Sequence, residues 1–516
     1  MREDSLNKHR IAIVGGGTAG AIAASYVKQC WGDAVEVILI YDHSKPNIGI
    51  GESLTTQIYT YMRYVGITRE ELIKNVKATV KLGIKFKNWL GDGSEYYHAF
   101  GEDNAVSVTS KYNLEAAWDI ANGSYDHDCC YQRDFFNNSK IPLNPNANQS
   151  LHIDGQLFSK FVVEKFKDRF TIYDDIVIDV VKKNNSQEID HLILKNNGTL
   201  SADFFIDSSG FAKVLFKHLD AEWIDRSDWC PIDSCIPNPV FLQHETIPVC
   251  TTAEASQDGW ILNVPLQHRW GTGYLFSSKF TDNQTAIDRF SQWVKNKFGQ
   301  DLNNDKVMNF TSGYWKKQWL GNCIAIGLSS GFAEPLEATN IHQVVYQMRK
   351  FCRAYNFKNF AYDAVEYNRA MQQFYDRIYL FIRFCYTTGR TDSDFWKYMT
   401  NNVPEEVRIL EEKISRDFLD DFSMEPDIFD YSNFTKIAQG LKKIDPNTYA
   451  QILKNRGAFN DAGVGAKEIK RIKNQVFDTA IDHTAFIKSV LNNTVYDLEK
   501  TFNSETIKKS YIEYIK

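Results

Sequence analysis

The chain has 516 residues and a formal net charge of −6, from 59 basic and 65 acidic side chains. That length supports one large core or two to three domains, and the acidic balance argues against a nucleic-acid partner held by bulk charge. Nine cysteines occur without a C-x-x-C pair and eleven histidines without an H-x3-H or H-E-x-x-H cluster, so no disulfide framework and no metal site are expected. The opening Met1–Arg10 is polar and has no secretory pattern. No apolar run approaches the ~20 residues that a membrane span needs. The expectation is a reduced, cytoplasmic setting without membrane contact. The lysine-rich stretches Lys467–Lys473 and Lys508–Lys509 read as solvated helix faces.

In chain order, Arg10–Val14 reads as a strand entering Gly15-Gly-Gly17-Thr-Ala-Gly20. Ala21–Cys30 is the helix leaving it, and Val35–Ile40 is a second strand. In G-x-G-x-x-G the first glycine allows the tight turn, the second lets a pyrophosphate approach, and the third permits close helix–strand packing. Gly15, Gly17, Thr18, Ala19 and Gly20 are therefore candidate dinucleotide contacts; the bland alternative is a glycine turn in an ordinary β-α unit. The acid expected at the end of the second strand comes one residue late, as Asp42. Residues 79–89 alternate as a strand with Lys81, Lys85 and Lys87 on one face, which ordinarily means solvent.

Further along, residues 155–168 look helical, and strands are expected at 170–181 and 190–195. Phe204–Gly210 reads as a strand meeting a glycine turn, and residues 259–265 and 271–277 as an adjacent pair of strands. Gly321–His342 reads as a short buried strand, a turn carrying Glu334, Pro335 and Glu337, and a helix from about Thr339 toward Tyr355. Such a junction aims N–H groups and a positive dipole end forward and keeps a nearby carboxylate ionised. Glu334 reads as structural. The remainder is mostly helical. The element order fits an α/β fold with an inserted antiparallel sheet and a helical C-terminal region.

Taken together, the motifs resemble the flavin-dependent halogenases of the tryptophan-halogenase type. Gly15–Gly20 looks like the family's FAD fingerprint, and Gly49-Ile-Gly-Glu-Ser53 is similar to its G-[VI]-G-E-[AS] segment. Lys81-Leu-Gly-Ile-Lys-Phe-Lys-Asn-Trp89 resembles the strand whose first lysine is catalytic. Tyr97-His-Ala-Phe100, Asp207-Ser-Ser-Gly-Phe211, Trp260-Ile-Leu-Asn-Val-Pro265, Glu334-Pro-Leu-Glu337 and Arg390-Thr-Asp-Ser-Asp-Phe-Trp396 follow in the family's order. The C-terminal divergence fits a viral member.

The resemblance implies an FAD-binding Rossmann-like domain of the flavin-monooxygenase type. Its flavin-binding parts would be about 1–80, 150–230 and 305–365, and its substrate sheet about 81–149 and 231–304. A core of about 1–400 would precede a helical region at 401–516. FADH2, O2 and halide would give hypohalous acid, which reaches a separate site for a small aromatic. No second G-x-G-x-x-G is visible, so a separate flavin reductase is expected. The family's catalytic pair falls on Lys81 and Glu337, and further cofactor contacts on Gly51, Gly210 and Gly327. Halide would meet backbone N–H groups of Thr339 and Asn340, the alternative being that Thr339 is only an N-cap. Trp260 and Leu262 would keep substrate from flavin, against the ordinary reading of strand core residues. His98 and Phe100 would wall the substrate, against a structural histidine.

Three departures stand out. Leu262 replaces the second tryptophan of W-x-W-x-I-P, Ala338 replaces a serine and Asn340 a glycine. Beyond about residue 400 the elements that clamp free tryptophan are not found. The expectation is a small electron-rich aromatic substrate, with bromide or iodide favoured over chloride. Rival readings are a flavin-dependent aromatic hydroxylase and a flavin-binding scaffold without turnover.

Overall fold

The computed structural model describes residues 8–44, 51–100, 118, 121–122, 132–142, 149–242, 245–357, 360–416 and 428–493. Gly49, Ile50, Lys508 and Lys509 lie outside the described residues. The chain forms two compact units, each built from three segments. The first comprises Met1–Val76, Ile153–Asp228 and Phe310–Asp376; the second comprises Lys77–His152, Trp229–Asn309 and Arg377–Lys516.

The first unit is organised by a six-stranded sheet. Its order is Trp319–Leu320, Cys323–Ala325, Phe204–Asp207, His9–Val14, Val35–Tyr41 and Thr171–Asp174. All pairings are parallel except that of the first two strands. Parallel strands are covered on both faces, which explains the unbroken apolar runs Ile11–Val14 and Val37–Ile40. One face packs Ala12, Val14, Ile38 and Ile40 against Leu215 and Phe216. The helix Thr18–Trp31 packs against Gly155–Phe166 and Thr339–Ala354. Asp154 caps the second of these by accepting from the N–H groups of Gln156 and Leu157.

The second unit holds a seven-stranded sheet, ordered Met308–Asn309, Ser234–Val240, Trp270–Phe276, Gly259–Pro265, Cys250–Ala255, Gly83–Lys87 and Glu95–Ala99. The expected antiparallel character needs one correction. Cys250–Ala255 runs parallel to Gly83–Lys87, because strands so distant in sequence meet by crossover rather than by a hairpin. The helix Asn283–Phe298 lays Ala286, Phe290 and Val294 on Ile236, Ile261 and Tyr274.

The single strand expected over 79–89 is two. Thr79–Lys81 pairs with residues 150–152, and the chain then changes partners at Leu82, whose N–H donates to Val249 O at 2.7 Å. Alternation therefore does not carry across Leu82. Lys85 and Lys87 reach Glu95 (3.3 Å) and Glu254 (3.2 Å) near the surface, whereas Lys81 is fully buried.

The helical C-terminal region is written in its caps. Ser393, Asp430, Asp445 and Asp482 each accept from a backbone N–H at the start of their helices, and Pro446 follows Asp445 at the first helical position. Arg390-Thr-Asp-Ser-Asp-Phe-Trp396 acts as a clamp. Arg390 donates to Asn88 O (3.0 Å) and pairs with Asp392, while its guanidinium lies 4.2 Å from the Trp396 ring centroid. Trp396 Nε1 donates to Ser256 O at 2.8 Å and Trp89 Nε1 to Ala253 O at 3.0 Å, which ties two indoles to neighbouring sheet segments. Among the described residues no helix is long and apolar enough to cross a membrane.

Candidate functional site

The glycine turn sits at the carboxyl end of the parallel sheet. Gly15 N–H donates to Ile40 O at 2.9 Å with φ at +118°. A Cβ on Gly15 would lie 2.4 Å from Ser208 O, and one on Gly20 would lie 1.8 Å from Gly15 O. Gly16, to which the sequence motif assigns no role, backs onto the Tyr41 ring, where a Cβ would fall at 2.3 Å. Gly17 is different: it is the extended N-cap of Thr18–Trp31 (φ −73°, ψ −172°), and no side chain caps that helix. No acid stands in its first turn. The N–H groups of Thr18, Ala19 and Gly20 thus open toward an anion, which fits the pyrophosphate of FAD.

Of the other cofactor candidates, Gly210, Gly327 and Asp42 lie at this end. Ser208 Oγ donates to Val14 O (2.9 Å) and Gly15 O (3.1 Å). Ser329 Oγ lies 3.0 Å from both Asp207 Oδ1 and Gly210 O. A Cβ on Gly327 would sit 3.1 Å from the Ala19 Cβ. Asp207 is the hub: it also accepts from Ser209 Oγ and from the N–H groups of Ser209, Leu215 and Phe216. Gly51 is buried with φ at +129°. Asp42 Oδ1 accepts from Ser44 N (2.9 Å) and Ser44 Oγ (2.6 Å), so this acid closes its own turn. Gly17→Leu should therefore keep the helix and lower FAD affinity by at least ~10-fold, about 1.4 kcal/mol. Undiminished affinity, read by fluorescence titration, would contradict the pyrophosphate assignment.

Glu334 and Glu337 are both buried; Glu334 precedes a short 3-10 turn, Pro335–Glu337, and Glu337 ends it. Ala338 then takes the left-handed conformation (φ +58°, ψ +36°), which for a residue with a Cβ costs ~1–2 kcal/mol. Thr339 is the first helical residue. The cap position belongs to Ala338, so the N-cap reading of Thr339 is corrected. No side-chain cap and no acid occupy this helix start, leaving Thr339 and Asn340 at an open dipole end. Two residues of this helix with no sequence motif hold the earlier turn Gly327–Ser329. Gln347 Oε1 accepts from Gly327 N (2.9 Å) and Gln343 Nε2 donates to Gly327 O (3.0 Å). Their spacing of four on a buried helix face was the available signal.

In the second unit, Lys81 Nζ lies 4.9 Å from the Phe100 ring centroid, bringing two of the candidates together. His98 Nε2 pairs with Asn433 Oδ1 at 2.8 Å and its ring lies 5.4 Å from Phe381. Trp260 and Leu262 are buried on one strand face, opposite Ala255 and Ala253. Among the described residues none accepts a hydrogen bond from Trp260 Nε1.

Two buried histidines flank the Lys81 strand, and neither belongs to a sequence motif. His152 contacts Thr79 Oγ1 through Nδ1 (3.1 Å) and Thr251 Oγ1 through Nε2 (3.0 Å). Thr79 already donates to Pro265 O (2.6 Å), so Thr79 must accept from His152 Nδ1–H. His483 Nε2 accepts from Val80 N–H (2.9 Å) while Nδ1 donates to Ile247 O (3.0 Å), which requires the neutral ring. Burial, then the charge of Lys81 and the neighbouring His483, hold His152 well below the usual imidazole value.

A depressed folded value means that stability is full above about pH 6.5 and lost as pH falls below it, at about 1.4 kcal/mol per pH unit. Denaturant titrations at pH 6.5 and 5.5 should show His152→Gln losing up to that much less than wild type. Equal losses would show that His152 does not titrate between the two states.

The family model described as tryptophan halogenase matches residues 10–458. The tryptophan 6-halogenase SttH of Streptomyces toxytricini is 29% identical over 454 residues, covering 80% of this chain and 84% of SttH. Its crystal structure aligns at a TM-score of 0.84 with 26% identity, over 93% of this chain and 100% of that one. Xcc4156, a flavin-dependent halogenase from Xanthomonas campestris, shares the fold at a TM-score of 0.85 and 23% identity, over 94% and 98% of the two chains.

Proposed function

The chain belongs to the tryptophan halogenase family, and on that footing we propose that Lys81 and Glu337 carry its chemistry and that its substrate is a small electron-rich aromatic other than free tryptophan. It is an FADH2-dependent halogenase, an oxidoreductase that acts on an aromatic substrate. When bound, FADH2 with O2 and halide supplies hypohalous acid, and a separate flavin reductase supplies the FADH2.

The chain's own residues do the rest. Gly15, Gly17 and the first-turn N–H groups of Thr18, Ala19 and Gly20 bind the pyrophosphate, with Gly51, Gly210 and Gly327 giving close backbone approach. Lys81 donates a hydrogen bond to hypohalous acid and polarises it toward the ring. Glu337 takes the proton that the ring releases as it regains aromaticity. The observation that carries this reading is the complete burial of Lys81 beside Phe100. A dry lysine is a poor structural choice and a good electrostatic one.

The substrate part rests on Leu262 in place of a tryptophan and on the missing tryptophan clamp. Halide selectivity follows from Thr339, Asn340 and Ala338. The helix start offers N–H groups, but Ala338 adds no hydroxyl and Asn340 lacks glycine's freedom. Chloride holds its water most tightly of the three halides, so it loses most when donors are imperfect. Bromide and iodide are therefore preferred. Competition at equal halide concentrations over a panel of aromatics tests this. Brominated or iodinated phenols and indoles are expected; dominant chlorination, or efficient turnover of free tryptophan, would contradict it.

A further inference from the structure

The two helices that begin at the glycine turn and at Thr339 also meet near their far ends. Cys30 lies in the last turn of Thr18–Trp31 and Cys352 in the last turn of Thr339–Ala354. The two thiols are within hydrogen-bonding reach of each other, and Tyr64 also hydrogen-bonds Cys30. Their neighbours pack alongside: the Trp31 ring lies 5.7 Å from Phe351 and 5.5 Å from Tyr355. Both cysteines are half-buried. Tyr26, 4.5 Å from Tyr64 ring to ring, feels the charges of Arg349 and Arg353 as well as both thiols, so two cations edge the cluster.

We propose that Cys30 and Cys352 form an oxidant-sensitive dithiol that closes to a disulfide between these helices. The oxidant is hydrogen peroxide, the product of O2 reduction by FADH2 when no halide is consumed. The Cys30 thiolate attacks one peroxide oxygen, giving Cys30 sulfenic acid and hydroxide. The Cys352 thiol then attacks that sulfur; the S–S bond forms, the S–O bond breaks, and water leaves. Two electrons pass from the two sulfurs to the peroxide. The roles are unequal because hydrogen bonds from Cys352 and Tyr64 bring the Cys30 thiol down to about 6, while burial pushes Cys352 up. The link would join two helices whose N-termini carry the candidate pyrophosphate and halide positions, recording uncoupled turnover in the unit that binds flavin.

The test uses the full-length, fully reduced protein. Stepwise hydrogen peroxide, quenching with N-ethylmaleimide and non-reducing peptide mass mapping should yield a Cys30–Cys352 cross-linked peptide two hydrogens lighter than its parts. Dithiothreitol should reverse it, and the oxidised protein should melt several degrees higher. In Cys352→Ser, Cys30 should persist as a sulfenic acid trapped by dimedone; in Cys30→Ser, Cys352 should not react ahead of the other thiols. Sulfinic acid at Cys30 beside a free Cys352 in wild type, or no dimedone adduct in Cys352→Ser, would overturn the proposal.

Discussion

Lys81→Met should remove halogenation while leaving FADH2 oxidation by O2 at the wild-type rate. Methionine fills much of the lysine's volume in a fully buried position against Phe100, so the fold should survive. What disappears is the ammonium proposed to donate to hypohalous acid. Loss of a pre-organised donor in a dry site lowers rates by ~10²–10³-fold, about 3–4 kcal/mol in the barrier. Glu337→Gln should lose less, ~10–100-fold, because shape is kept and basicity is not. Halogenated product per FADH2 oxidised is the quantity to measure. A wild-type ratio in Lys81→Met on an electron-rich ring would mean that hypohalous acid reacts without protein assistance.

His483→Phe should be the most damaging change outside that pair. The imidazole answers a buried backbone N–H of Val80 and a buried carbonyl of Ile247 at once, and phenylalanine answers neither. Each stranded group costs ~1–3 kcal/mol, so about 2–6 kcal/mol of stability should go. Val80 adjoins Lys81, so product per FADH2 oxidised should fall as well, through displacement of the lysine. His483→Gln keeps one acceptor and one donor and should restore part of both losses. An unchanged unfolding midpoint in His483→Phe would show that the ring merely fills space.

The nucleotide end was legible because its constraints are local. Gly15 and Gly20 are forced by atoms 1.8–2.4 Å from a missing Cβ, and six residues suffice to state that demand. Gly16 escaped because its partner, Tyr41, is set by strand packing rather than by the motif. The caps of the C-terminal helices are equally local, as Asp445-Pro446 and Asp482 show, although only the helical character of that region was read from the sequence.

Lys81 misled the period-two reading because its strand changes partners at Leu82, and partner choice is a long-range property. The resemblance singled Lys81 out; alternation placed it in solvent, and burial overturns that. His483 left no trace at all, since nothing near Ile481–Asp482 announces that the ring will stand in for a strand at Val80. Arg390–Trp396 was recognised as a motif without a role, and its role as a clamp required seeing Asn88 and Ser256.

The central claim is that this chain transfers a halogen rather than an oxygen atom to its aromatic substrate. The direct measurement supplies the full-length protein with FADH2 from a separate reductase, O2 and a panel of phenols and indoles. Parallel reactions contain bromide or no halide, and products are scored by mass. The account expects brominated product only where bromide is present, with no hydroxylated product in either reaction. Hydroxylated product that forms at the same rate with and without halide would contradict it and identify an aromatic hydroxylase instead.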